Sequence, residues 1–121
     1  MQSMDTLKAI SNDTKLRLVS LLLENELCVC ELEEILNIKQ ATISRNLSRL
    51  KDANVVDVRR EKQRGFYYLT DQFLNQHHFV EHIKELRLKE LQLEKDYKAF
   101  LEHKAVKDEN IYVCKAFREV S

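Results

Sequence analysis

The sequence predicts a mainly α fold: a winged helix-turn-helix with a two-stranded β-wing and a long C-terminal dimerisation helix. Three observations predict it. The 121 residues include no proline and one glycine, Gly65, a composition that favours helices over tight turns. Apolar residues recur at helical spacing up to about residue 53, follow a strand-like pattern over about 55–70, and return to helical spacing from 71 to about 103. Basic residues concentrate where the period changes.

Taken in order, "MDTLKAI" sets Met4, Leu7 and Ile10 on one helical face, and "SNDT" at 11–14 interrupts with helix-capping residues. "KLRLVSLLLEN" continues as a helix with Leu16, Val19, Leu22 and Leu23 inward, and "ENELCV" is a connection. "CELEEILNI" forms a short helix burying Leu32, Ile35 and Leu36, and "NIKQ" a turn. "ATISRNLSRLKDA" forms the next helix, with Ile43, Leu47 and Leu50 at i, i+4, i+7. Two strands at about 55–60 and 66–70 follow, joined by a basic loop that holds Gly65. They are too short to stand without helices packed against them.

From 71 to about 103, Phe73, Phe79 or Val80, Ile83, Leu86, Leu91, Tyr97 and Leu101 mark one long helix. Unbroken, it would span about 45 Å at ~1.5 Å per residue, more than a small core can cover. An oligomer contact is the natural use of the surplus apolar surface. Residues 1–103 form the DNA-binding and dimerisation domain, and 104–121 a tail carrying Cys114.

Acidic and basic residues balance at 20 each, so net charge alone points to no partner. Distribution does. Between Lys39 and Phe66 stand eight basic residues against three acidic ones, a local surplus of five positive charges. Two short helices, a tight turn and a basic hairpin describe a unit that docks on double-stranded DNA. Lys39, Gln40, Thr42, Ser44, Arg45, Asn46 and Arg49 supply donors and acceptors for base edges or phosphates; Arg59, Arg60, Lys62 and Arg64 place charge on the wing. Nucleophile–base pairing, a glycine-rich phosphate loop and a complete catalytic metal motif are lacking, so the chain is not expected to be an enzyme. No apolar run approaches a membrane span, and the N-terminus lacks a signal pattern, which implies a cytoplasmic protein with no membrane partner.

Three cysteines, Cys28, Cys30 and Cys114, are an odd number and too few for a disulfide scaffold. Cys28 and Cys30 stand two apart in "ELCVCEL". On a regular helix that spacing does not present one sulfur to the other, so metal binding suits the pair better than a mutual disulfide.

Across roughly residues 4–103 the chain resembles the ArsR/SmtB family of metal-sensing repressors. "LKAISNDTKLRLVSLLLENELCVCELEEIL" is similar to the family's opening, "KQATISRNLSRLKDANVV" to its recognition segment, and "RREKQRGFYYL" to its wing. Asn46 stands where the family usually has His, Lys39 where Ser is common, and Asn54 where Gly is common. The resemblance implies a homodimer that binds operator DNA and leaves it when an inducer binds, with no permanently bound cofactor. It points to Cys28 and Cys30 as thiolate ligands. Arsenite or antimonite, As(III) or Sb(III), is the inducer it favours and Cd(II) or Pb(II) the alternative. Trivalent arsenic takes three thiolates; Glu33 occupies the place of the third cysteine found in some relatives, so the third ligand is either Cys114 or a small-molecule thiol, the latter leaving Cys114 as a small apolar residue of a packed tail. The zinc-sensing pattern is not matched: Phe73 follows Asp71 where His is required, His77, His78 and His82 lack the spacing, and His103 is expected at the surface. A rival reading is a redox or persulfide sensor, because relatives that sense sulfur species use two far-separated cysteines, as Cys30 and Cys114 are.

Overall fold

The computed structural model describes residues 12–108. The helix expected over Met4–Ile10, and Cys114 with the rest of its tail, lie outside the described residues. Asn12 caps α1 (Asp13–Leu22): its side chain accepts the N–H groups of Thr14 and Lys15 at 2.9 and 3.3 Å. Leu18, Val19, Leu21 and Leu22 are buried, and Leu16 and Leu23 pack partly against the core. A two-residue strand β1 (Leu27–Cys28) lies inside the stretch expected to be a plain connection. Then come α2 (Val29–Leu36), a turn through Asn37 at φ 55°, and α3 (Gln40–Asp52), which buries Ile43, Leu47 and Leu50 as their spacing predicts.

The helix α3 ends in a Schellman motif. Val55 N–H returns to Leu50 C=O at 2.9 Å and Asn54 N–H to Lys51 C=O at 3.0 Å, while Leu50 and Val55 are both buried. Asn54 takes the left-handed position at φ 60°. Asparagine tolerates that region better than branched residues, which is why it can stand where the resembled sequences commonly have glycine. Asn54→Gly should therefore be close to neutral, whereas Asn54→Val should lose about 1–2 kcal/mol in urea unfolding. An equal loss in both would place the effect in the side chain rather than the backbone.

Strands β2 (Val56–Glu61) and β3 (Arg64–Leu69) pair antiparallel from Val56↔Leu69 to Glu61↔Arg64. The tip is Lys62 and Gln63, with Lys62 at φ 56°, so Gly65 is not in the loop but inside β3, opposite Arg60. A Cβ there would stand 3.0 Å from Arg60 Nη1 and 3.1 Å from Val58 Cγ2. Glycine is thus used for close approach, letting neighbouring side chains cross the hairpin. β1 adds to β3 with Leu27↔Tyr67 and Cys28↔Phe66, giving a three-stranded antiparallel sheet of order β1-β3-β2.

The single long helix expected from 71 to 103 is three helices: α4 (Asp71–Leu74), α5 (His77–Lys89) and α6 (Leu91–Asp108). Glu90 is extended, at φ −94° and ψ 119°, and turns the chain. α6 then packs on α1 and α2 and buries Leu93, Asp96, Phe100 and His103. Part of the surplus apolar surface is therefore covered within the chain. Leu88 and Leu91, beside the bend, remain 85 % and 64 % exposed. Among the described residues no helix is long and apolar enough to cross a membrane.

Candidate nucleic-acid interface and thiol site

The helix α3 turns Gln40, Ser44, Arg45 and Arg49 outward, with Lys39 exposed at its N-cap and Thr42 half-buried. All six belong to the set that the sequence puts forward for DNA contact. Asn46 does not join them: it is buried, and its Nδ2 donates to Thr42 C=O at 2.8 Å within the helix. Ser48, which sequence reasoning missed, is exposed four residues after Ser44 on the same face. That spacing was the signal for it.

On the wing, Arg60 and Lys62 are exposed and Arg64 is half-buried. Arg59 is engaged differently. Its Nε and Nη2 meet Glu26 Oε1 at 3.0 and 2.8 Å, and its Nη1 meets Glu61 Oε2 at 2.7 Å. Its guanidinium carbon also sits 4.9 Å from the centre of the Phe66 ring. The two carboxylates hold Arg59's pKa above its ordinary value, with Glu61 the larger cause, while Arg59 holds Glu61 below its own. Arg59 therefore braces the wing against the segment before β1, and its charge is already countered.

The two thiols of "CVC" occupy unlike places. Cys28 ends β1, faces Phe66 of the wing, and is the N-cap of α2 at φ −89° and ψ 165°. Cys28 thus precedes the helix, within the connection read over "ENELCV", while Cys30 stands in its first turn. The Cys28 N–H donates to Glu31 Oε1 at 3.2 Å, half of a capping box. Cys28 is buried and is not part of a disulfide. Burial is the main cause that pushes this thiol above its ordinary value; the Glu31 N–H opposes, the Glu31 carboxylate adds to the rise, and Arg64 lowers it slightly. Cys30, half-buried in the first turn of α2, is disulfide-bonded. After reduction, brief alkylation followed by mass spectrometry should modify Cys30 well before Cys28. Equal labelling would mean that Cys28 is neither shielded nor protonated as its surroundings require.

Glu31 is completely buried, and its second oxygen lies 2.7 Å from Nε2 of His103 on α6. The surface position expected for His103 is therefore incorrect: the imidazole is drawn inward to a carboxylate that is shielded from solvent and needs a partner within the protein. Among the described residues no three His, Cys, Asp or Glu side chains converge to hold a metal ion. The expected set of Cys28, Cys30 and Cys114 lies partly outside them.

Comparison with known proteins fits this geometry. Residues 12–58 match the family model described as "Bacterial regulatory protein, arsR family". Over 65 residues the chain is 42 % identical to an uncharacterised HTH-type transcriptional regulator of Methanocaldococcus jannaschii, covering 53 % of this chain and 73 % of that protein. It is 41 % identical over 63 residues to the arsenic resistance transcriptional regulator ArsR1 of Pseudomonas putida, covering 51 % of this chain and 49 % of ArsR1, so the likeness spans about half of that relative's length. Among solved structures it resembles the transcriptional repressor BigR of Xylella fastidiosa, with TM-score 0.60, 32 % identity, and 73 % and 85 % of the two chains covered. It also resembles the homodimeric winged helix-turn-helix domain Mb0332 of Mycobacterium bovis, with TM-score 0.62, 26 % identity, and 73 % and 82 % covered.

Proposed function

The chain belongs to the arsR family of bacterial regulatory proteins, DNA-binding transcription regulators rather than enzymes, and from that premise we propose that it is a homodimeric repressor whose hold on its operator is set by the chemistry of Cys30. The observation that carries this is the contrast between the two neighbouring thiols. Cys28 is buried in the cap of α2 and outside any disulfide, whereas Cys30 is disulfide-bonded. We assign Cys114, which lies outside the described residues, as its redox partner in this reading. This favours the thiol-redox reading over the metalloid reading that the family resemblance puts first.

The chemistry balances with a polysulfide as oxidant. One cysteine thiolate attacks a sulfur of the polysulfide and displaces a sulfide fragment. The second thiolate then attacks the mixed disulfide and displaces the other fragment. Two thiols lose two protons and two electrons, and one S–S bond of the oxidant is reduced. Reduced protein binds the operator and oxidised protein releases it. Dimerisation is supported by exposed Leu88 and Leu91 and by the likeness to homodimeric Mb0332.

A second reading is favoured by the CVC spacing and by similarity to ArsR1, named for arsenic resistance. As(III) or Sb(III), or else Cd(II) or Pb(II), would bind Cys28, Cys30 and Cys114 as thiolates. It requires Cys28 to leave its buried cap.

The test is fluorescence anisotropy on DNA from upstream of its own coding region, titrating reduced protein complexes with polysulfide, arsenite and cadmium. In the redox reading polysulfide releases DNA, Cys30→Ser and Cys114→Ser abolish release, and Cys28→Ser retains it. Release by arsenite or cadmium, lost in Cys28→Ser, would establish the metal reading instead.

A further inference from the structure

We propose that the buried Glu31–His103 pair is the element that couples the state of Cys30 to the DNA-reading helices. The proposal rests on the thiol-redox reading of Cys30. Four observations carry it.

Glu31 directly follows Cys30 in the first turn of α2 and is completely buried. It does two jobs with its two oxygens. Oε1 accepts the Cys28 N–H, which fixes the start of α2 to the end of β1. Oε2 meets His103 Nε2 at 2.7 Å, which fixes the same turn to α6. A buried carboxylate that loses one partner is strongly disfavoured, so this contact behaves as closed or broken rather than graded.

Cys114 follows His103 by eleven residues in sequence. A Cys30–Cys114 bond would therefore tie the C-terminal segment to the very turn that Glu31 and His103 already join. Chemistry at the sulfurs and geometry at α6 would act on one point.

The far end of α2 is tied to α6 as well. Arg17 Nε and Nη2 hold both oxygens of Asp96 at 2.8 and 3.0 Å, and Nη2 also donates to Leu36 C=O at 3.2 Å. Leu36 is the last residue of α2, just before the left-handed Asn37 that opens the turn into α3. Asp96 and His103 are seven residues apart on α6 and so share a face. α6 thus holds α2 at its start directly and at its end through Arg17 of α1.

Finally, the start of α2 adjoins β1, which is hydrogen-bonded to β3 of the wing. A shift of that turn reaches both DNA-contacting parts, the wing through β1 and α3 through α2. Charged groups elsewhere on α2 face outward or sideways: Glu34 is exposed and Glu33 half-buried.

The test measures the ratio of operator affinities, polysulfide-oxidised over reduced, using full-length protein and DNA from upstream of its own coding region. Unfolding temperature is measured in parallel. Wild type should show a ratio in the range of about 5–150-fold typical of coupled sites. His103→Leu should bring the ratio to within roughly twofold of unity, whereas His103→Gln, whose amide can donate to Glu31, should keep most of it. A purely structural role would lower the unfolding temperature of His103→Leu and both affinities together, leaving the ratio intact; that result overturns the proposal. If His103→Leu does not fold, Glu31→Gln, which keeps the cap but removes the charge, takes its place, and an unchanged ratio there is equally decisive. A wild-type ratio of one overturns the redox reading itself and the coupling with it.

Discussion

Arg17→Met will destabilise the protein by about 3–5 kcal/mol, the usual result of removing one member of a buried ion pair. An exposed pair would be worth about 0–1 kcal/mol, and the two cases are separated here by burial. Asp96 is 3 % exposed and its partner's side chain 19 %. The guanidinium grips both carboxylate oxygens in the bidentate arrangement that lysine cannot copy, and spends a further N–H on Leu36 C=O. In Arg17→Met, Asp96 keeps the Gln92 amide at 2.9 Å but loses its cation. Against a total of about 5–15 kcal/mol for a small domain, that loss would leave a marginal fold. The double variant Arg17→Met with Asp96→Leu should regain most of it, because the expensive species is the lone buried charge. Urea unfolding of the three proteins checks this. A loss under about 1 kcal/mol in the single variant would mean that water reaches Asp96 as freely as a surface group.

The same pair shows where sequence reasoning stops. Ile43, Leu47 and Leu50 were legible because a helix face is set by local spacing, and the Asn12 cap because capping is decided within three residues. The exposed polar side of α3 followed from that same periodicity, which also exposes Ser48. By contrast, β1 is two residues long and owes its existence to β3 some forty residues later. Glu31, Asp96 and His103 have the composition of surface residues, and each is buried because a partner distant in sequence meets it. The break at Glu90 falls in "ELRLKELQLEKD", which contains no proline, glycine or capping signal. It is imposed by what α6 gains against α1 and α2, together with Arg87, which bonds Glu24 and Ser20 C=O and lies 4.9 Å from the Tyr97 ring centre. The unequal surroundings of Cys28 and Cys30 were illegible for the same reason, since identical residues two apart look equivalent until a strand and a helix divide them.

Operator affinity will fall steeply with salt, and the slope will identify the residues that touch phosphate. Lys39, Arg45, Arg49, Lys51, Arg60 and Lys62 are exposed, so the proposed homodimer carries the set twice. If about half of the dimer's set contacts phosphates, roughly six contacts form, and affinity should drop about a thousandfold between 50 and 200 mM salt. Arg45→Ala should flatten the log–log slope by about one for each protomer bound and weaken all sequences alike. Arg59→Ala should leave the slope unchanged, although the two side chains look interchangeable in sequence, because Glu26 and Glu61 already neutralise Arg59 and no counterion is released on its account. Ser44→Ala and Ser48→Ala carry no charge and should alter preference among operator variants at constant slope. Anisotropy titrations at several salt concentrations separate these outcomes. An Arg59→Ala slope change equal to that of Arg45→Ala would mean that the wing abandons its brace on binding, so that the segment holding Glu26, two residues before Cys28, is itself released by DNA.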